Sequence, residues 1–203
     1  MKKNNNNISI KKILLAAGIS KRYGYKNKLT EKIKGKYLIE HVIDTLLKVF
    51  DTRDLLVIVG HDFKKIINLI NNDIKIINNN KYKDGIGTSI SLGVKHLGPN
   101  VQGVMIIPAD MPLIAAKDLK KLERQFLQLS CKKVVLPKYK NITGNPVILP
   151  KSYFSTLRNL KKDYGARSQI KDNDIVTVSC DIGTIFDVDT SNALQKALII
   201  LKN

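Results

Sequence analysis

Seven short runs of Val, Ile and Leu set the strongest limit on what this chain can fold into: Ile13–Ala16, Leu55–Val59, Ile74–Ile77, Val104–Ile107, Val134–Leu136, Pro146–Leu149 and Ile175–Val178. Little polar alternation interrupts them, so each reads as a strand covered on both faces, as in a mostly parallel sheet. Longer amphipathic stretches lie between these runs. Their spacing predicts helices over Tyr37–Phe50, Phe63–Asn71, Ser89–His96, Ala115–Leu129, Lys151–Leu160, Gly165–Lys171 and Ser191–Lys202. Leu38, Val42, Thr45, Leu46 and Val49 share one helical face, and so do Leu119, Leu122, Phe126 and Leu129. Strand alternating with helix gives the α/β class: a three-layer α/β/α arrangement around a Rossmann-like, mostly parallel sheet with right-handed crossovers. No linker, repeat or composition break divides the 203 residues. A single domain over residues 1–203 is expected, with residues 1–9 as a flexible polar N-terminus.

Composition narrows the functional classes. An apolar fraction of 43% and a charged fraction of 26% are those of an ordinary globular protein. No apolar run approaches the roughly 18 residues that cross a bilayer. Ile13–Ala17 is too short for the core of a secretory leader, and Gly18 and Arg22 follow where a cleavage site would lie. A cytoplasmic protein with no membrane partner is expected. Cys131 and Cys180 stand far apart, outside metal-ligand spacing, and read as reduced thiols. His41, His61 and His96 form no close pair, so no zinc site is expected. The net charge of +18 is spread through the whole chain and accompanied by abundant Asn and Ile. That charge is either a solvated surface that follows composition or a field that draws anions, and both steer anionic substrates inward. Nucleic acid is not an expected partner, because aromatic residues are only 6% and do not interleave with a basic stripe.

Three segments carry chemistry. The first follows the first strand: Leu15-Ala16-Ala17-Gly18-Ile19-Ser20-Lys21-Arg22-Tyr23-Gly24, with Lys28 beyond. A glycine turn at the carboxyl end of the first strand is where an open α/β sheet binds phosphate. Gly18 and Gly24 would let the backbone turn and aim N–H groups at an anion, and Ser20 would add a hydroxyl. Arg22 and Lys28 would supply charge for a triphosphate. Gly24 is followed by Tyr25 and Lys26, which excludes a P-loop, and G-x-G-x-x-G is absent. A plain strand-to-helix turn with exposed basic residues is the alternative.

The second segment is Pro108-Ala109-Asp110-Met111-Pro112, directly after an apolar strand. Asp110 at that strand end is a hard oxygen ligand of the kind Mg²⁺ selects, or else a cap for the next helix. The third is Phe186-Asp187-Val188-Asp189-Thr190. Asp187 and Asp189 share one face of an extended segment, and either could meet Asp110 around Mg²⁺. Asp189-Thr190 could equally cap the last helix, and the two roles can coexist.

Taken together, these segments resemble the nucleotidyltransferase superfamily with a glycosyltransferase-A-like fold, and within it the molybdenum-cofactor cytidylyltransferase branch. Ser89-Ile90-Ser91-Leu92-Gly93, Ala109-Asp110-Met111-Pro112, Thr143-Gly144-Asn145-Pro146-Val147, Asp163-Tyr164-Gly165-Ala166-Arg167 and Asp187-Val188-Asp189-Thr190 match that branch in order, from residue 15 to 190. The resemblance implies that Leu15, Ala16, Ala17, Gly18, Ser20, Arg22, Lys28, Ser89, Ser91 and Gly93 surround an NTP. It implies Arg22, Lys28 and Asp110 as catalytic residues, and Asp110 and Asp189 as Mg²⁺ ligands ahead of Asp187. Asn145, Asp163, Gly165 and Arg167 would face a phosphorylated acceptor. The implied reaction moves CMP from CTP onto molybdenum-molybdopterin cofactor, with a molybdenum-hydroxylase as a partner protein. Ala17 resembles the cytidylyltransferases, whereas the related guanylyltransferases tend to carry a second glycine there.

Several positions depart from the pattern. Tyr23 stands where Met or Phe is usual, an extra residue before Lys28 makes Lys26 a competitor for the phosphates, and Lys162 rather than Gly precedes Asp163. Ser191-Asn192 replaces the usual acidic residues after the last Asp-Thr. A cytidylyltransferase for a phosphorylated sugar or polyol, and a non-catalytic molybdenum-cofactor insertion protein, are the alternatives.

Overall fold

The computed structural model describes residues 8–24, 26–70 and 73–201. Residues 1–7 of the expected polar N-terminus lie outside them, as do Asn71 and Lys202, where two expected helices were to end. Ser9 already stands in the first strand and pairs with Val101.

All seven apolar runs fall in strands. In chain order the strands are β1 (Ser9–Ala16), β2 (Lys32–Ile33), β3 (Lys36–Tyr37), β4 (Leu55–Val59), β5 (Lys75–Asn78), β6 (Val101–Pro108), β7 (Val134–Tyr139), β8 (Ile142–Thr143), β9 (Val147–Pro150) and β10 (Ile175–Ser179). The main sheet runs β10-β7-β9-β6-β1-β4-β5, with β8 beside β7. β1 pairs in parallel with β4 and β6, β4 with β5, and β10 with β7, while β9 runs antiparallel to β6 and β7. β2 and β3 form a separate hairpin. Its turn has Lys34 at φ 50° and Gly35 at φ 79°, both left-handed as a two-residue hairpin loop requires.

The helices are α1 (Leu38–Leu47), α2 (Phe63–Ile67), α3 (Ile86–Lys95), α4 (Ala116–Gln128), α5 (Phe154–Arg158) and α6 (Ser191–Ile200). Leu119, Leu122 and Phe126 are buried along α4 as their spacing indicates. On α1 the buried set is Leu38, Ile39, Val42, Ile43 and Leu46, so Ile39 and Ile43 join it in place of the expected Thr45, while Val49 lies beyond the end of α1 and packs partly buried against the same core. Two apolar side chains that take part in packing outcompete a threonine for the sheet face. The expected helix at Gly165–Lys171 is a single tight turn, Ala166–Gln169.

Two apolar cores cover the two faces of the sheet. Leu14 and Ala16 of β1 face one with Val42 of α1 and Leu119 of α4, whereas Ile13 and Ala17 face the other with Ile90 of α3 and Leu157 of α5. This two-sided cover is why the strands read as continuous apolar runs. β1 has β4 on one side and β6 on the other, so the chain order reverses beside it. A crevice at the carboxyl ends of the strands is expected at such a switch point.

Candidate active site

That crevice is where the sequence motifs meet. Ala109 donates its N–H to the Leu15 carbonyl (3.1 Å), fastening the loop after β6 to the end of β1. Val188 donates to the Asp110 carbonyl (2.9 Å), drawing the Asp187–Asp189 segment to the same place. A cavity of about 370 Å³ opens there. Leu15, Ala17, Gly18, Ser20, Arg22, Lys28, Ser89, Asp110, Asp163 and Asp189 line it.

The loop after β1 turns differently from the expectation. Its left-handed residues are Ser20 (φ 60°) and Gly24 (φ 108°), and Gly18 is not among them. Instead, a Cβ added at Gly18 would meet nothing within 4 Å. The glycine there leaves open space beside exposed backbone and does not enable a turn, because Ser20 takes the left-handed step. The Ser20 carbonyl accepts from Tyr23 N–H (2.8 Å), and its hydroxyl accepts from Lys28 N–H (3.3 Å). Asn27 is buried and its side chain accepts from Leu29 N–H, which starts the tight turn carrying Lys28. Lys28 therefore points into the cavity, while Lys26 is exposed outside its lining.

Charge is concentrated at one end of the cavity. The Lys28 ammonium lies 2.5 Å from Asp110 Oδ2 and 2.6 Å from Asp189 Oδ1. Arg22 Nη2 lies 2.6 Å from Asp189 Oδ2. Burial disfavours the charged form of Lys28, but Asp110 and Asp189 outweigh it and raise its pKa above the ordinary lysine value. Burial pushes the Asp189 carboxyl up, and Lys28 and Arg22 reverse that, leaving it below the usual range. Among the described residues Asp187 has no such cation. Partial desolvation, then the charges of Asp189 and Asp110, hold its pKa up.

One carboxylate oxygen from each of Asp110, Asp187 and Asp189 lies within 4.8 Å of the others. Asp110 Oδ1 is buried and has no hydrogen-bond partner. A buried carboxylate oxygen left without a partner is costly unless a cation completes it. Three hard oxygen donors and that orphaned atom fit a divalent cation such as Mg²⁺ or Mn²⁺. Thr190 also caps α6, its hydroxyl accepting from Ala193 N–H (3.2 Å), so capping and carboxylate clustering coexist in this segment.

Three other expected nucleotide contacts lie apart from the cavity. Ala16 is fully buried in the core on the opposite face of β1. Ser91 is buried on α3 and donates to the Arg158 carbonyl (2.5 Å). Gly93 packs on Ile13, where an added Cβ would come within 2.8 Å of Ile13 Cδ1. Ser89 and Gly93 are four apart on α3 and share a face, but the helix axis carries Gly93 down the sheet, away from the strand ends.

A second cavity of about 250 Å³ adjoins the first along Leu15, Ile86 and Pro108. Asn145, Gly165 and Arg167 line it, together with Thr143, whose hydroxyl accepts from Arg167 Nη2 (2.5 Å). Asp163 faces the first cavity instead.

Tyr82, Lys83, Gly85 and Ile86 also line the first cavity, and the sequence reading missed them. They form the turn entering α3. The available signal was Gly85 and Gly87 closely spaced before an apolar helix. Gly85 has φ 105°, and a Cβ on it would collide with the Lys162 carbonyl. Gly87 donates to that same carbonyl (2.9 Å), so the 161–164 strap rests on the start of α3.

The model of the MobA-like NTP transferase domain matches residues 12–178. Among curated relatives, the bifunctional protein GlmU of Thermosipho africanus is 32% identical over 120 residues, covering 59% of this chain and 26% of that protein. The chain thus spans about a quarter of the length of that relative. The structure of an Rv0371c homologue from Mycobacterium sp. strain JC1 superposes with a TM-score of 0.82 at 20% identity, covering 96% of this chain and 97% of that one. Rv0371c of Mycobacterium tuberculosis, solved in complex with manganese, superposes with a TM-score of 0.76 at 17% identity, over 94% and 98% of the two chains. The two solved structures share the three-layer fold described above, and the matched family model spans both the glycine turn and Asp110. The chain belongs to the MobA-like NTP transferase domain family.

Proposed function

We propose that this chain transfers CMP from CTP to a phosphorylated small acceptor, with molybdenum-molybdopterin cofactor the favoured one, and that it uses Mg²⁺. The observation that carries the reading is the convergence of Asp110 and Asp189 on Lys28 beside the glycine turn. An acceptor phosphate oxygen would attack the α-phosphorus in line, forming one P–O bond as the α–β P–O bond breaks and pyrophosphate leaves. An acceptor phosphate is already ionised at neutral pH, so no strong general base is needed. That agrees with a cavity whose lining contains no histidine among the described residues.

The residues divide the work by charge. Arg22 and Lys28 would bind the triphosphate and neutralise charge on the departing pyrophosphate. Asp110 and Asp189, with Asp187 at the rim, would hold the cation. That cation, when bound, would supply charge neutralisation for the phosphates. Ala17, Gly18 and Ser20 would border the nucleotide, and the preference for CTP rests on Ala17 in the Leu-Ala-Ala-Gly turn. The second cavity favours the acceptor choice. Its walls include Leu15, Ile86, Ile106, Leu136 and Val147, with Thr143, Asn145 and Arg167 as its polar groups. Such walls would take a flat ring face, with Thr143, Asn145 and Arg167 left for its polar edge. A molybdenum-hydroxylase would be the protein that receives the product.

The test follows pyrophosphate release with CTP, GTP or ATP, Mg²⁺, and reduced molybdopterin cofactor or a phosphorylated polyol. Release with CTP and the pterin acceptor supports the reading. Release only with a polyol phosphate moves it to the sugar and polyol cytidylyltransferases. Tight pterin binding without release with any nucleotide would make the chain an insertion protein.

A further inference from the structure

A third cavity lies on the other side of the 161–164 strap from the catalytic one, between the turn after β5, α3 and the end of α5. Its volume is about 680 Å³, within the range of small-molecule sites. Five cations line it, Lys81, Lys95, Arg158, Lys161 and Lys162, against a single carboxylate, Asp84. The catalytic cavity, by contrast, sets Lys21, Arg22, Lys28 and Lys83 against three carboxylates. Among the described residues none of the five groove cations forms an ion pair, and all five are exposed. Most described lysines and arginines of this basic chain likewise hold no carboxylate, so what marks the groove is the gathering of five cations around one concavity.

Lys162 lies on the strap that walls the groove. Its φ is 53°, a left-handed conformation that costs a residue with a Cβ about 1 kcal/mol or more and costs glycine little. Its carbonyl, not its side chain, holds the strap on Gly87. Lys34 and Lys140 take the same left-handed conformation (φ 50° and 52°), so the conformation itself does not mark the groove. What lysine adds is a fifth cation in the groove.

We infer that this groove is a second anion site, distinct from the catalytic cavity, that binds a small polyphosphorylated ligand. The concave shape and the excess positive charge both bear on the groove itself, so the inference stands whether or not CTP is the nucleotide. An extended nucleic acid is disfavoured because the lining contains no aromatic side chain for bases to stack on.

The experiment is calorimetric titration of inorganic tripolyphosphate into the full chain at about 0.15 M salt, where diffuse attraction is screened. The wild type should bind two equivalents. Lys162→Gly and Arg158→Ala should each weaken one of them by about tenfold, the scale of one charge-assisted hydrogen bond. Arg22→Ala should weaken only the other. Lys162→Gly should melt close to the wild-type temperature, because relief of the left-handed strain offsets the added unfolded-state entropy, and this separates lost charge from lost fold. A single equivalent in the wild type that Arg22→Ala weakens, or two equivalents indifferent to Lys162→Gly and Arg158→Ala, would overturn the site. Binding of single-stranded RNA more tightly than tripolyphosphate, with the same two variants weakening it, would overturn the small-ligand assignment. Failure of the CTP reading would leave the stoichiometry unchanged.

Discussion

The Lys28 ammonium lies 2.6 Å from Asp189 Oδ1 across 161 positions of chain, and it also holds Asp110. One lysine thus separates two carboxylates that would otherwise repel at close range inside a half-closed crevice. Lys28→Met should destabilise the metal-free protein by about 1–3 kcal/mol, since a partly buried charge pair loses its counter-ion. Millimolar Mg²⁺ or Mn²⁺ should restore part of that stability, and should raise the variant's melting temperature more than the wild type's. Thermal melts with and without the cation check this. Equal cation effects on both proteins would separate Lys28 from the carboxylate cluster.

Asp110 carries the orphaned buried oxygen, and its backbone is what Val188 and the last loop hold on to. Because those are main-chain contacts, Asp110→Ala should leave the fold nearly intact. Turnover should fall by at least about a hundredfold, the scale of losing one preorganised electrostatic group. Pyrophosphate release and a melting curve on the same sample measure both. An active, folded variant would remove Asp110 from the chemistry.

Acid stability offers a test away from the site. Tyr153 donates to Asp174 Oδ2 (2.8 Å), and Lys133 approaches the same carboxylate. The Tyr153 hydrogen bond, then that of Lys133, holds the Asp174 pKa below the ordinary aspartate value. The sign follows from linkage. A depressed carboxylate stabilises the fold above its unfolded pKa, and that contribution is lost as pH falls through the lower folded value. Tyr153→Phe should therefore lower the melting temperature near neutrality, and the gap with wild type should narrow as pH falls below the ordinary aspartate range. A gap that persists undiminished in acid would mean that Tyr153 acts by packing alone.

How much was legible in the sequence follows from what each signal encodes. The seven strands were readable because two-sided burial leaves unbroken Val, Ile and Leu runs, as in Leu55–Val59. Such a run carries no direction, so nothing marked β9 as the antiparallel strand between β6 and β7. The two-residue strands Lys32–Ile33 and Ile142–Thr143 are too short to show a period. In the site, residues at strand ends were readable because the sheet itself delivers them: Leu15, Ala17 and Asp110. Residues placed by packing were not. Ser91 and Gly93 lie in a motif beside Ser89, yet the turn of α3 commits one to the Arg158 carbonyl and the other to Ile13. Tyr82 and Lys83 line the cavity beside Gly85, on which the distant 161–164 strap rests, a contact no local pattern announces.

The most direct measurement is paramagnetic-resonance titration of Mn²⁺ into the protein with CTP present, which needs no acceptor. The account expects one protein-bound Mn²⁺ population that appears with CTP and weakens by about tenfold or more in Asp110→Ala and Asp189→Ala, as loss of a ligand group does. Mn²⁺ binding that is the same in wild type and both variants, or no bound Mn²⁺ with CTP present, would contradict it.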